Sequence, residues 1–312
     1  VIDAESQSGI DHTFLATLGP DELKRLLPGF LSGFVDDAAA AAAARAATAE
    51  LLAGWSPETC RSVVSHLGSI GAEHRMYLAH PAGRELARVW ARSVVLGPTL
   101  SGAEHLAAAA AAGPTLIACN HTSYFDTNAT DVALAWNGLE SVADRLVALA
   151  GPKVYADLFR RVAAGCLNTL PVPQSTSLGH TEKLPPRELA RKAHESIEVG
   201  AAVMRDGWIL LLYPEGSRTR TGRLGPFLRG THRYFGCVDG LRVVPMAITG
   251  AERIMPVSDP KLHPGPVRVS FAPALTAGVD GTSREVLEAA HAAIDAMLPP
   301  EAQAEPGAPR SA

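Results

Sequence analysis

Apolar positions follow two different rhythms along this chain. From residue 10 to residue 95 they recur at intervals of three and four, the spacing that gives a helix one apolar stripe. Asp21 stands where it can cap a helix running toward Phe34, and residues 36–53 are an alanine-rich run of high intrinsic helix propensity. Ser56-Pro57-Glu58 combines a capping hydroxyl, a proline suited to a first turn and an acid behind it. Pro81 and Gly83 interrupt the pattern before a further helix over 84–95. Four or five short helices are therefore expected to form a small all-α N-terminal domain, residues 1–88, with residues 1–9 disordered.

After Gly97-Pro98 the rhythm changes. Short apolar, partly β-branched runs at 115–119, 146–150, 169–172, 208–213, 243–248 and 267–271 read as buried strands. Between and after them, 103–112, 127–136, 155–164, 187–205 and 283–297 read as helices. That alternation implies an α/β fold, a mixed and mostly parallel sheet covered by helices, over residues 89–298. The polar stretch 173–186, with His180 and Lys183, is long enough inside a compact domain to be functional or mobile. The Pro/Ala/Gly-rich end, 299–312, reads as a disordered, solvated tail.

A chain of 312 residues can bury a sizeable core, as one large domain or a catalytic domain with a smaller partner. The net charge of −4 argues against a general nucleic-acid or membrane-surface binder. Its distribution is more telling: Arg218, Arg220, Arg223, Arg229 and Arg233 fall in 216–233 with no acid among them. Cys60, Cys119, Cys166 and Cys237 lie far apart, without metal-ligand spacing, and read as buried thiols of a reducing cytosol. The start is acidic and polar rather than a secretion signal, and no run of 18 apolar residues occurs, so no transmembrane helix is expected. The expected location is the cytoplasm, with peripheral contact at the cytoplasmic membrane face.

The candidate chemistry gathers where the first buried strand ends, in Asn120-His121-Thr122-Ser123-Tyr124-Phe125-Asp126. Ser123 with Asp126 three positions on is a helix-start signature. His121 therefore sits at the carboxyl end of a strand, where α/β sheets bind ligands. A His and an Asp five apart on such a corner can meet, the carboxylate fixing the imidazole for general-base work. Alone, Asp126 would read as a helix cap and His121 as a polar turn residue. A second stretch shifts the balance: the strand 208–213 runs into Pro214-Glu215-Gly216-Ser217-Arg218-Thr219-Arg220-Thr221-Gly222. Two strands ending in polar turns would set His121 and Arg218 on one rim.

These stretches resemble, in order, four blocks of the glycerolipid acyltransferase family, which includes bacterial lysophosphatidate acyltransferases and soluble plastid-type glycerol-3-phosphate acyltransferases. The first block is similar to Asn120 through Asp126. The second is similar to Gly151-Pro152-Lys153 through Gly165 with Leu170-Pro171-Val172, the third to Tyr213 through Arg218, and the fourth to Val243 through Ala247. The resemblance implies a fatty acyl transfer from acyl-CoA or acyl carrier protein to the hydroxyl of glycerol-3-phosphate or its 1-acyl derivative. His121 would be the general base and Asp126 would orient it. Lys153, Glu215, Gly216, Ser217, Arg218, Arg220 and Arg229 would form the substrate-binding set, with Glu215 ordering its turn. Thioesters are already activated, so no covalent enzyme intermediate, cofactor or metal is expected. Amides of 214–217 and of the helix start after His121 are candidate oxyanion donors. The helical N-terminal part and the loop after Val172 tilt the acceptor toward glycerol-3-phosphate.

One departure stands out. After Leu170-Pro171-Val172 the family supplies a basic residue for the acceptor phosphate, and this chain has Pro173-Gln174. His180 or Lys183 would have to substitute, or the acceptor differs. Other motifs fail: His194-Glu195-Ser196-Ile197-Glu198 lacks the second His of a zinc-protease helix, and neither a nucleophile elbow nor a P-loop occurs. Ser123 has no separate His-acid pair to activate it as a nucleophile. Cys119 is expected to point into the core. The rivals are the same reaction on another alcohol, and a non-catalytic protein whose arginines hold anionic lipid or nucleic acid; no nucleic-acid partner is expected.

Overall fold

The computed structural model describes residues 17–311 except 72, 74, 157 and 174–184. The N-terminal helices are α1 (Pro20–Ser32), α2 (Ala38–Ala53), α3 (Pro57–Ser69) and α4 (Pro81–Ala91). Asp37 caps α2 through the amide of Ala40, and Ser56 caps α3 through that of Thr59. There follow β1 (Thr99–Ser101), α5 (Ala103–Ala112), β2 (Thr115–Cys119), α6 (Asp126–Trp136), α7 (Glu140–Ala143) and β3 (Leu146–Ala150). The stretch expected as one helix over 155–164 is two, α8 (Pro152–Ala156) and α9 (Leu158–Gly165), before β4 (Asn168–Pro171). The rest is α10 (Pro186–Arg205), β5 (Ile209–Leu212), α11 (His232–Phe235), β6 (Arg242–Thr249), α12 (Ala251–Ile254), β7 (Arg268–Phe271) and α13 (Ser283–Met297).

The strands form one seven-stranded sheet in the order β1-β7-β6-β2-β5-β3-β4. β2, β3, β4, β5 and β6 are mutually parallel, whereas β7 runs antiparallel to β6 and takes β1 with it. β2 lies at the centre, and all five of its residues are buried. Alternation along β2 divides the core. Ile117 and Cys119 face a cluster containing residues of α1, α3, α4, α5 and α6, while Leu116 and Ala118 face one built with α10 and α13. Each fully buried Leu or Ile here contributes about 1.5–3 kcal/mol.

This arrangement corrects the expected division at residue 88. That position lies inside α4, and Leu23, Leu27, Leu31, Val63 and Trp90 share one core with Ile117, Leu211 and Val244. The helices are the cover of one sheet face. Buried ions fasten them: Asp131 of α6 accepts from Arg88 Nε at 2.8 Å and from Arg84 Nη1 at 3.1 Å, both on α4. Gly165 marks another close approach, since a Cβ there would lie 2.4 Å from Leu67 Cδ2 of α3.

The C-terminal stretch is not the solvated tail its composition predicts. Ala302 O accepts from Leu224 N at 2.8 Å and Arg310 O from Phe227 N at 2.9 Å, while Ala304 N donates to Asp295 Oδ1 of α13. Leu224 and Phe227 are buried, and their amides would be orphaned without these carbonyls. Gln174, His180 and Lys183 fall outside the described residues, as do residues 1–9.

Candidate active site

His121 lies two residues past the end of β2, at the rim where the five parallel strands end. Its neighbour Asn120 extends the strand by side chain: Nδ2 donates to Ile248 O at 2.9 Å, and Oδ1 accepts from Ile248 N at 2.8 Å. The turn that follows is fixed from below by Phe125, buried against Trp90 of α4 with ring centroids 6.1 Å apart. Ser123 Oγ adds a bond to Met255 O at 2.8 Å.

His121 and Asp126 meet as the spacing predicts, with Nδ1 2.8 Å from Oδ2. Asp126 is 1% exposed and accepts three further bonds, from Thr122 N at 2.7 Å, Ser123 N at 3.0 Å and Thr122 Oγ1 at 2.8 Å. A carboxylate so engaged can only accept, so Nδ1 carries the proton and Nε2 of the neutral ring holds the free lone pair. The His121 side chain keeps 18% of its surface accessible. The ring is thus set to take a proton at Nε2.

The turn after β5 grips the histidine backbone at both poles. Glu215 Oε1 accepts from His121 N at 2.7 Å, and Thr219 N donates to His121 O at 2.8 Å. The other Glu215 oxygen accepts from Gly225 N at 2.9 Å. A Cβ at 225 would sit 2.9 Å from Oε2 and push the carboxylate out of this position. Burial pushes the Glu215 carboxyl up to about 7, with Asp126 adding to the rise and the two amides opposing it. Tyr213, directly after the Leu212 that pairs with Ala118, stacks on the imidazole at 4.3 Å and 24° between planes. Its hydroxyl lies 2.9 Å from Thr127 Oγ1.

Of the substrate-binding set read from the sequence, Arg218 and Glu215 join His121 and Asp126. The Arg218 Cζ lies 3.5 Å from the centroid of the Tyr124 ring. Burial lowers its pKa from the usual guanidinium value, and the charge of Arg160 acts in the same direction. Both oxygens of Glu215 hold amides of this chain, so it is a positioning group rather than a substrate ligand. Gly216 makes the turn at φ 70° and donates to Tyr213 O at 3.0 Å. Ser217, Arg220 and Arg229 are exposed, and Lys153 is half-buried on α8, directly after β3 on the same rim. Arg223 reaches the C-terminal stretch, donating to Gln303 O at 3.1 Å. The amides of Thr122, Ser123 and Gly216, expected to be available to an oxyanion, hold acceptors of this chain.

Sequence reasoning missed Asn120, Tyr124, Tyr213, Gly225 and Arg160 as parts of the site. Tyr124 and Asn120 stand inside the first block, so adjacency was their one signal. Arg160 stands in the second block beside Arg161, and nothing in the pattern separates the two.

Residues 98–249 match the model of the acyltransferase family. The matched stretch runs from β1 through β6 and contains both His121 and Arg218. A 1-acyl-sn-glycerol-3-phosphate acyltransferase of Cocos nucifera is 37% identical over 80 residues, 25% of this chain and 26% of that protein. A chloroplastic 1-acyl-sn-glycerol-3-phosphate acyltransferase of Brassica napus, BAT2, is 38% identical over 68 residues, 22% of this chain and 20% of its own. The aligned region thus spans about a quarter of these curated relatives or less. The crystal structure of the 1-acyl-sn-glycerophosphate acyltransferase PlsC from Thermotoga maritima superposes with a TM-score of 0.47 at 14% identity, covering 91% of this chain and 90% of that one. Among the described residues, no helix is long and apolar enough to cross a membrane.

Proposed function

We propose that this protein transfers a fatty acyl group from a thioester, acyl-CoA or acyl carrier protein, to the free hydroxyl of a phosphorylated glycerol. The helical N-terminal part tilts the sequence reading toward glycerol-3-phosphate. That argument weakens once the helices are a cover of the sheet, and the names of the relatives favour 1-acylglycerol-3-phosphate. His121 Nε2 removes the hydroxyl proton as the acceptor oxygen attacks the thioester carbonyl carbon. The tetrahedral intermediate then expels the thiolate, which takes the proton from the imidazolium. Asp126 orients the ring and stabilises its charged form, while Arg218 holds the acceptor phosphate. General-base assistance of this kind contributes about 10² to 10⁴ in rate. The reaction places the protein at a membrane surface when the acceptor is a lipid.

The observation that carries this reading is the buried Asp126 carboxylate on His121 Nδ1 at 2.8 Å, which in the neutral imidazole puts the lone pair on Nε2, at the strand rim. Its test is an assay of purified protein with palmitoyl-CoA and, separately, 1-acylglycerol-3-phosphate and glycerol-3-phosphate. Acyl transfer to the first should exceed that to the second, and His121→Ala should lower kcat by at least about 100-fold with either. No transfer to either acceptor, or a fully active His121→Ala protein, overturns the proposal.

A further inference from the structure

His291 lies on α13, outside residues 98–249 that match the acyltransferase model and outside all four blocks of the resemblance. We propose that it is a positioning residue for the general base: its ring fixes Gly225, Gly225 fixes Glu215, and Glu215 fixes the backbone of His121. This role rests on the acyltransferase reading, which gives the residue no part.

Three short hydrogen bonds make the connection. His291 Nε2 lies 3.1 Å from Gly225 O, Gly225 N donates to Glu215 Oε2 at 2.9 Å, and His121 N donates to Glu215 Oε1 at 2.7 Å. The first two hold the peptide groups on either side of the Gly225 Cα. That position needs outside support, because glycine has the widest backbone freedom and Pro226 carries no amide to anchor the segment. The support itself is fixed. Val286, Ala290 and Ile294, on the same helix as His291, share a core cluster with Val243 and Ala247 of β6, and β6 is hydrogen-bonded to β2. The restraint on His121 therefore starts and ends on β2, and a helix and two strands carry it.

Packing alone does not account for an imidazole at 291. The ring is 2% exposed and meets Phe227 edge-on, with centroids 4.8 Å apart, a contact that a phenylalanine would make as well. A carbonyl oxygen only accepts, so Nε2 carries the proton and Nδ1 keeps a lone pair. Nδ1 is buried and pairs with no group of the described residues, an arrangement that lowers stability. Burial holds the ring below the usual histidine pKa and so neutral; the Gly225 bond and Asp295 oppose that shift, and Arg310 adds to it. What the imidazole offers beyond a phenylalanine is its one bond to Gly225.

Two substitutions isolate that bond. His291→Phe keeps a ring against Phe227 and removes the donor, whereas His291→Gln returns an N–H close to the place of Nε2. With palmitoyl-CoA and 1-acylglycerol-3-phosphate, His291→Phe should lower kcat about 10- to 100-fold, as for a small displacement of a reacting group, and leave both KM values within about threefold. His291→Gln should recover most of that loss. Where His291→Phe does not fold, His291→Met, also without a donor, takes its place. Stability against pH separates positioning from packing. The amides of His121 and Gly225 oppose the rise of Glu215 to about 7 that burial causes and Asp126 reinforces. Once the Gly225 amide loosens, native Glu215 keeps its proton to higher pH, so stability should go on falling further above pH 7 in His291→Phe than in His291→Gln. Neither variant has an imidazole at 291, so its own titration does not enter the comparison. Wild-type kcat in His291→Phe, a rise in KM in place of the loss in kcat, a Gln variant as impaired as the Phe variant, or one pH slope in both overturns the assignment. Should the wild-type protein acylate nothing, hydrogen exchange at the His121 amide decides alone. Exchange at least about 10-fold faster in His291→Phe and restored in His291→Gln sustains the linkage without the enzyme reading, and unchanged exchange removes it.

Discussion

Replacing Asp126 by Asn separates the two tasks of the carboxylate. Oδ2 accepts from His121 Nδ1, Thr122 N and Ser123 N, whereas Oδ1 meets only the Thr122 hydroxyl. An asparagine can keep its carbonyl oxygen at the Oδ2 position and turn its NH2 to Thr122 Oγ1, which rotates from donor to acceptor. Geometry and tautomer therefore survive, and only the charge is lost. At an effective dielectric of about 20, unit charges roughly 4 Å apart attract by about 4 kcal/mol. That energy is present only while the imidazole is protonated, as it is when the acceptor attacks. The amide dipole retains a fraction, so kcat should fall by about 10² to 10³. Stability should fall by only about 1–2 kcal/mol, because the Thr122 and Ser123 amides keep their acceptor and only the Thr122 hydroxyl proton and one N–H of the new amide lose a partner. Asp126→Ala, by contrast, orphans the Thr122 and Ser123 amides and should cost several kcal/mol. Single-turnover rates and thermal melts of the two variants are the measurement. An Asp126→Asn enzyme within threefold of wild type would refute the electrostatic role, and one as unstable as Asp126→Ala would refute the hydrogen-bond argument.

Two further outcomes follow from the β5 turn. Glu215→Gln places an NH2 against one of two amide donors, at His121 or Gly225, and should cost about 1–3 kcal/mol and lower kcat without a matching change in acceptor KM. Because the folded-state pKa of Glu215 is raised from 4.5 to about 7, its native form binds more protons than the unfolded chain between those values. Wild-type stability should therefore fall as pH rises across that window, by on the order of 3 kcal/mol from this group, and the Gln variant should lose that slope in urea titrations at stepped pH. Truncation after Leu298 removes the carbonyls of Ala302 and Arg310 from the buried amides of Leu224 and Phe227, and should destabilise by about 2–4 kcal/mol and speed hydrogen exchange at those amides.

Strands that are buried on both faces announce themselves as apolar runs, and β2, β3, β5 and β6 were legible for that reason, whereas β7 buries only Val269 and Phe271 and was legible as alternation. β1 was not, being three residues with an exposed-intermediate-exposed pattern at the sheet edge. The N-terminal helices were legible as helices but not as a layer. An amphipathic stripe says that a face is buried, and the sequence does not say against what. The tail failed for a related reason. Composition measures how much apolar surface a segment can bury, whereas 299–311 is held largely by backbone carbonyls, which every residue carries. The imidazole-carboxylate pair was readable because it is local, five residues apart on a corner that strand and helix signals both define.

What holds that pair in place is not local. A turn of six residues between β2 and α6 could position a side chain only loosely on its own, since fixing its backbone costs roughly 1–2 kcal/mol per residue. Here the amide and the carbonyl of His121 are each held by the β5 turn, through Glu215 and Thr219, so the peptide groups on both sides of its Cα are constrained. Because β5 is hydrogen-bonded directly to β2, with Ala118 beside Leu212, those two turns are bound to be neighbours. Glu215 then passes the constraint to Gly225, and the strand-like segment 224–227 passes it to the C-terminal residues. The geometry of the base is thus set by the order of strands in the sheet, and an insertion in the turn after β5 should disturb His121 more than one of equal length after β4.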